Sequence, residues 1–217
     1  MKFRVILNPV VCILSLFITV PLYGGWTFTD SMNVARSNHE GVVLNNGEVL
    51  VAGGNDGYTD MASCEIYDTT AQTWSLTDSM SIARSQFTLT LLQDGRVLAA
   101  GGLSGYETRT CEIYDPSTGT WSFTDSLHEA RRWHSAQLLG DGKVIVIGGT
   151  GGGNLKSCEI YDPGTGTWSM TDSMHIQRRQ LVSILLDDGR VLVAGGDTGP
   201  TNLERLSSCE IYDPNTG

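Results

Sequence analysis

Cations are scarce in this sequence: 14 Lys and Arg stand against 24 Asp and Glu, a formal net charge of −10. Nucleic-acid affinity rests on neutralising phosphates with Lys and Arg, and no basic run or RNA-binding aromatic motif compensates, so a nucleic-acid partner is excluded. A 3.6-residue apolar period is missing throughout, and dense turn residues would cut any helix short. The 26 glycines follow no Gly-X-Y period, which excludes collagen. Neither Gly-x-x-x-x-Gly-Lys-Ser/Thr nor Gly-x-Gly-x-x-Gly leading into a helix occurs, so no phosphate-cradling loop is present. Histidine is limited to four residues, and long hydrophobic runs to one.

That run lies at the start. Met1-Lys2-Phe3-Arg4 is basic, Val5 to Leu22 is almost wholly apolar, and Gly24-Gly25 follows. Residues 1–25 read as a secretory signal peptide, with an uncleaved anchor as the alternative because Leu22 suits a cleavage site poorly. Asn8 and Pro9 interrupt the run and weaken a spanning helix. The expected location is therefore secreted or cell envelope, with no membrane insertion beyond this segment.

Residues 26–217 are built from one unit used four times. Asp188-Gly189-Arg190-Val191-Leu192-Val193-Ala194-Gly195-Gly196 recurs from Asn46, from Asp94 and from Asp141. Trp26, Trp74, Trp121 and Trp168 keep a spacing of 47 or 48 residues. Glu-Ile-Tyr-Asp recurs from Glu65, Glu112, Glu159 and Glu210, and Arg36, Arg84, Arg131 and Arg178 each precede their glycine pair by 17 residues. Such self-similarity marks a repeat architecture. Each unit predicts four strands, exemplified by Phe87–Leu92, Arg96–Ala100, Thr110–Asp115 and Thr120–Thr124. Asp94-Gly95 predicts a two-residue hairpin between the first two, since glycine accepts positive φ. Pro116-Ser117-Thr118-Gly119 turns the chain between the last two. Apolar residues on both faces of the second strand require a neighbour on each side, as propeller blades provide.

The glycine pair after an apolar strand, the Tyr of Glu-Ile-Tyr-Asp-Pro and the Trp after the next turn resemble the kelch-repeat family. The Asp-Gly-Arg-Val-Leu and Thr-Gly-Thr-Trp forms are most similar to secreted bacterial kelch proteins and the galactose-oxidase propeller. The resemblance implies an all-β, kelch-type β-propeller with the first strand of each blade innermost. Four blades of four antiparallel strands are expected. The strand at Trp26 is expected to complete the last blade and close the ring, with a fragment of a larger propeller as the alternative.

Cys64, Cys111, Cys158 and Cys209 hold one equivalent position in four blades. That places them too far apart for disulfides or a shared metal, and they read as small buried hydrophobes. The repeated Arg, Asp, Trp and Tyr sets read as structural. No nucleophile–base pair stands apart from the repeat, and no cofactor or metal is expected; a galactose-oxidase-like enzyme lacking its catalytic residues, or a truncated product, is the alternative. Function belongs where the repeats differ. The loop entering the first strand and the loop leaving the second share one end of the sheet. They carry the candidate ligand-binding residues Arg132, Trp133, His134, Arg179, Tyr58, Tyr106, Arg109 and Lys156. The expected activity is binding of a protein or a surface carbohydrate through this face.

Overall fold

The computed structural model describes residues 25–199 and 204–217, so the proposed signal segment falls outside the described residues except for Gly25. The described chain is all β. Strands β1 (Glu40–Val43), β2 (Val49–Ala52), β3 (Cys64–Asp68) and β4 (Thr73–Thr77) form the first antiparallel sheet in chain order. The second comprises β5 (Thr88–Leu91), β6 (Val97–Ala100), β9 (Cys111–Asp115) and β10 (Thr120–Phe123). A small hairpin of β7 (Leu103–Ser104) and β8 (Tyr106–Glu107) rises from its middle connection. The third contains β11 (Ser135–Leu138), β12 (Val144–Ile147), β13 (Cys158–Asp162) and β14 (Thr167–Thr171). The fourth has three strands, β15 (Val182–Leu185), β16 (Val191–Ala194) and β17 (Cys209–Tyr212). Neighbouring sheets approach through β1, β5, β11 and β15, so the first strand of each blade lies innermost.

The Asp-Gly turn differs from its expectation in length. Leu92 N donates to Arg96 O at 2.8 Å and Gly95 N to Leu92 O at 3.0 Å, leaving three residues in the loop. Only Gly95 takes positive φ, at 89°, whereas a two-residue type I′ turn would need Asp94 there too. Asp94 instead turns its carboxylate onto Arg96 N at 3.0 Å.

Second-strand side chains alternate between two neighbours. Val97 and Ala99 pack toward the first sheet, and Leu98 and Ala100 toward the third. Ile145 and Ile147 then meet Val191 and Val193 of the fourth. Trp121 leans on Tyr114 with ring centroids 5.1 Å apart, and Trp168 repeats the contact with Tyr161. Three interblade cores result from four blades, and among the described residues no fourth core joins the last sheet to the first. This corrects the closure expected at Trp26. Residues 25–31 form no strand, Trp26 and Phe28 are fully exposed, and Thr29 donates to or accepts from its own Tyr67 hydroxyl at 2.6 Å on the first sheet. The blades form an open arc.

The repeated arginines bind within each blade. Arg84 Nη1 donates to the carbonyls of Gly101 and Thr110, both at 2.8 Å, and Nη2 meets Glu112 Oε1 at 2.8 Å. Glu112 also accepts the backbone N–H groups of Ser81 and Ile82. The pair thus ties the incoming connection to the glycine pair and to the third strand. Cys64, Cys111 and Cys158 are buried free thiols, raised to about 11 chiefly by burial, which keeps them protonated and unreactive. Cys209 is exposed: among the described residues no blade packs against its face of the fourth sheet.

Candidate binding face

The residue two after each repeated Arg carries the arc's inner edge. Asn38, Gln86, Trp133 and Gln180 all adopt positive φ, between 51° and 55°. Their backbones form a ladder from blade to blade. Gln86 N donates to Asn38 O at 3.1 Å, Trp133 N to Gln86 O at 3.1 Å, and Gln180 N to Trp133 O at 2.9 Å. Each such bond contributes about 1 kcal/mol, comparable to the strain of a left-handed non-glycine residue, so the ladder holds the conformation. Nothing in composition or strand periodicity reveals it. The faint signal is a large or polar residue, Asn, Gln, Trp and Gln in turn, at a fixed offset from the repeated Arg.

Trp133 is thereby presented at the mouth of the arc, half-buried, between two cations. The Arg132 guanidinium carbon lies 4.1 Å from its ring centroid and that of Arg179 5.0 Å. Arg132 is steered by Glu107 Oε1 at 3.1 Å and Gln86 Oε1 at 2.9 Å, Arg179 by Asp197 Oδ1 at 2.7 Å. Four bridges, Ser37 to Asn55, Ser85 to Leu103, Arg132 to Thr150 and Arg179 to Asp197, put the entering and leaving loops at one end of every blade. Asp60 of the first blade reaches Ser85 Oγ at 2.7 Å and Gly105 N at 3.1 Å, fixing the hairpin that displays Tyr106. Gln86, Gln180, Asp60 and Asp197 therefore join the site, though sequence reasoning did not single them out as ligand-binding.

The eight candidates separate. Arg132, Trp133 and Arg179 form one stack. Tyr58 and Tyr106 stand almost fully exposed on the leaving loops of the first and second blades. Arg109 and Lys156 are exposed too, but farther along these loops, where their carbonyls accept Leu127 N and Met174 N. His134 departs from the expected loop surface. It is buried, its Nε2 lies 3.1 Å from Thr88 Oγ1, and it forms the floor of a cavity of about 200 Å³ with Gln86, Trp133, Gln180 and Glu40. Burial, aided by nearby Arg131, lowers its pKa to about 3, while burial raises that of Glu40.

A neutral buried His has a consequence for acid stability. The unfolded chain takes up this proton below about 6.5 and the folded chain only near 3, so stability falls as pH drops through that window, by at most about 1.4 kcal/mol per pH unit. Phe87 fills the same position in the preceding blade. His134→Phe is expected to flatten the pH dependence of urea unfolding between pH 6.5 and 4 relative to the parent; parallel curves would show that the site does not titrate this way.

Among the described residues, no three His, Cys, Asp or Glu side chains converge in a metal-holding group. A search among curated proteins finds no match. The kelch-motif family model matches residues 35–81, 90–127, 139–175 and 178–217, one stretch for each of the four sheets. With the blade order, the glycine pairs and the Tyr–Trp contacts, this match makes the chain a member of the kelch-repeat family, a β-propeller type commonly used as a protein-interaction module.

Proposed function

We propose that this chain is an exported kelch propeller that binds a protein, or a surface carbohydrate, through the loop face around Trp133. The observation that carries this reading is the Arg132–Trp133–Arg179 stack. Trp and Arg are the residues that most often anchor interfaces, and here their geometry is set before any partner arrives. The left-handed backbone, the ladder and the carboxylates behind both arginines hold the indole in place, so little conformational entropy remains to be lost on binding. Tyr106 and Tyr58 extend the same face. Export rests on Lys2, Arg4 and the apolar run after them.

The test is affinity capture from the secreted and envelope fractions of the producing cells, with a glycan array in parallel, using the parent chain and Trp133→Ala. Partners held by the parent are expected to bind the variant at least tenfold more weakly, while its circular dichroism stays unchanged. Equal retention by a folded variant would overturn the reading.

A further inference from the structure

The turn between the first two strands of every blade sets two demands on its sequence. One residue must carry a side-chain oxygen, since Asp94, Asp141 and Asp188 each accept the backbone N–H two residues on, at 3.0 or 3.1 Å. The next must be glycine, because Gly95, Gly142 and Gly189 take φ between 85° and 89°. In the first blade Asn46 and Gly47 meet the same demands. Asn46 Oδ1 accepts Glu48 N at 3.1 Å, and Gly47 has φ of 86°. An amide oxygen and a carboxylate oxygen serve equally as the acceptor, so the turn admits either side chain. The result is the one Asn-Gly pair in the sequence.

Amide and carboxylate differ in reactivity. The backbone nitrogen after the residue can close on its Cγ to form a five-membered imide. A carboxylate resists that attack because it is already negative. The side-chain bond from Arg190 holds the Asp188 carboxyl below its usual range and so keeps it in the resistant form. The Asn46 amide is neutral and has ammonia to lose. Gly47 brings no side chain to crowd the attack, whereas Asn33, Asn154 and Asn215 are followed by Val34, Leu155 and Thr216. Asn46 and Gly47 are both exposed, so water reaches them. Two bonds restrain the pair: Gly47 N donates to Leu44 O at 2.9 Å, and Asn46 Nδ2 to Glu48 Oε2 at 2.8 Å. Both lie in a surface turn, where local opening costs little.

We propose that Asn46 is a site of self-modification, converting to aspartate and isoaspartate in the folded chain. Gly47 N bonds to Asn46 Cγ, the Cγ–Nδ2 bond breaks, and Nδ2 leaves as ammonia with the Gly47 amide proton. Water then opens the imide. Attack at Cγ gives aspartate; attack at the backbone carbonyl gives isoaspartate, with the chain running through the side chain. Either product adds a negative charge at the end of the blades opposite Trp133. In the other three turns that charge meets Arg96, Lys143 or Arg190. Here it meets Glu48, and the Nδ2 bond to that carboxylate is lost. Isoaspartate also lengthens the backbone by a carbon inside a turn closed by Leu44 N on Glu48 O at 2.8 Å. The hairpin of the first blade therefore loosens while the others keep their pairing.

The test is to age the full, folded chain in mildly alkaline buffer and map its peptides by mass spectrometry. The peptide containing Asn46 is expected to gain the mass difference between an amide and an acid before any other asparagine peptide, and to split into aspartate and isoaspartate forms. Asn46→Gln is expected to abolish the gain, since the longer side chain would have to close a larger ring. Hydrogen exchange at Leu44 N–H should be faster in the aged chain than in the fresh one. The equivalent Leu139 N–H, bonded to Lys143 O, should exchange alike in both. Conversion of another asparagine first, or conversion of Asn46 only after unfolding in urea, would overturn the proposal. An aged chain whose Leu44 N–H exchanges as before would overturn its structural consequence.

Discussion

Arg84→Ala is expected to destabilise the fold by about 3–5 kcal/mol, because it leaves Glu112 buried without its cation. Both side chains are fully screened from solvent, and the guanidinium satisfies two backbone carbonyls besides the carboxylate. For a chain of this size the loss corresponds to a fall in melting temperature of roughly 10 °C. Arg84→Met is not expected to rescue it, since the methionine fills the space without meeting the charge. Removing Glu112 as well recovers only part, because Ser81 N and Ile82 N then lose their acceptor. The last blade supplies an internal comparison. Arg178 holds Glu210 at a longer 3.2 Å, and that carboxylate is 16% exposed, so Arg178→Ala is expected to cost clearly less. Melting curves of the two variants check this; equal losses would mean that burial does not set the effect.

Gly148→Ala carries the second large effect. Gly148 takes φ of +60°, and an added Cβ would lie 2.5 Å from the Arg178 carbonyl oxygen of the next blade. The left-handed backbone costs an alanine about 1–2 kcal/mol, and forcing the blades apart about 1–3 more. Gly195 holds the same repeat position in the last blade with φ of +66°, yet its nearest neighbour atom is 3.5 Å away. Gly195→Ala should therefore incur the backbone term alone. Urea unfolding of both variants separates conformation from interblade contact at one sequence position. A similar loss in each would place the whole glycine requirement in the backbone.

These contrasts explain which features the sequence made legible. Val-Leu-Val-Ala runs and Glu-Ile-Tyr-Asp strands emerged within a residue or two of their observed bounds, because apolar alternation and the demand for two covered faces are local consequences of composition. The structural role of the repeated arginines was visible in their fixed offset from the glycine pair, although not their partner Glu. The turn at Asp94-Gly95 was misjudged because Asp-Gly serves two loop lengths, and the choice lies in the hydrogen bond across Leu92 and Arg96. Closure at Trp26 failed for a different reason. Strand counting treats the chain as a list of elements, whereas the bond from Thr29 to Tyr67 fixes that segment at one end of an arc. His134 could not be separated from Trp133 by type. Adjacent residues entering a strand face opposite sides, so one meets the mouth of the arc and the other the core. The left-handed ladder through Asn38, Gln86, Trp133 and Gln180 is a property of blade-to-blade geometry, and its sole trace in the sequence is the fixed offset of these residues from the repeated Arg.

If partners dock on the Trp133 end of the blades, hydrogen exchange of the chain with and without a captured partner shows it most directly. Protection is expected in residues 56–61, 103–109, 132–134, 150–156 and 179–181, which lie on the entering and leaving loops at the Trp133 end of the blades. The opposite turns at 45–48, 93–96 and 140–143 should exchange as in the free chain. Protection confined to those opposite turns, with the Trp133 end unchanged, would contradict the account.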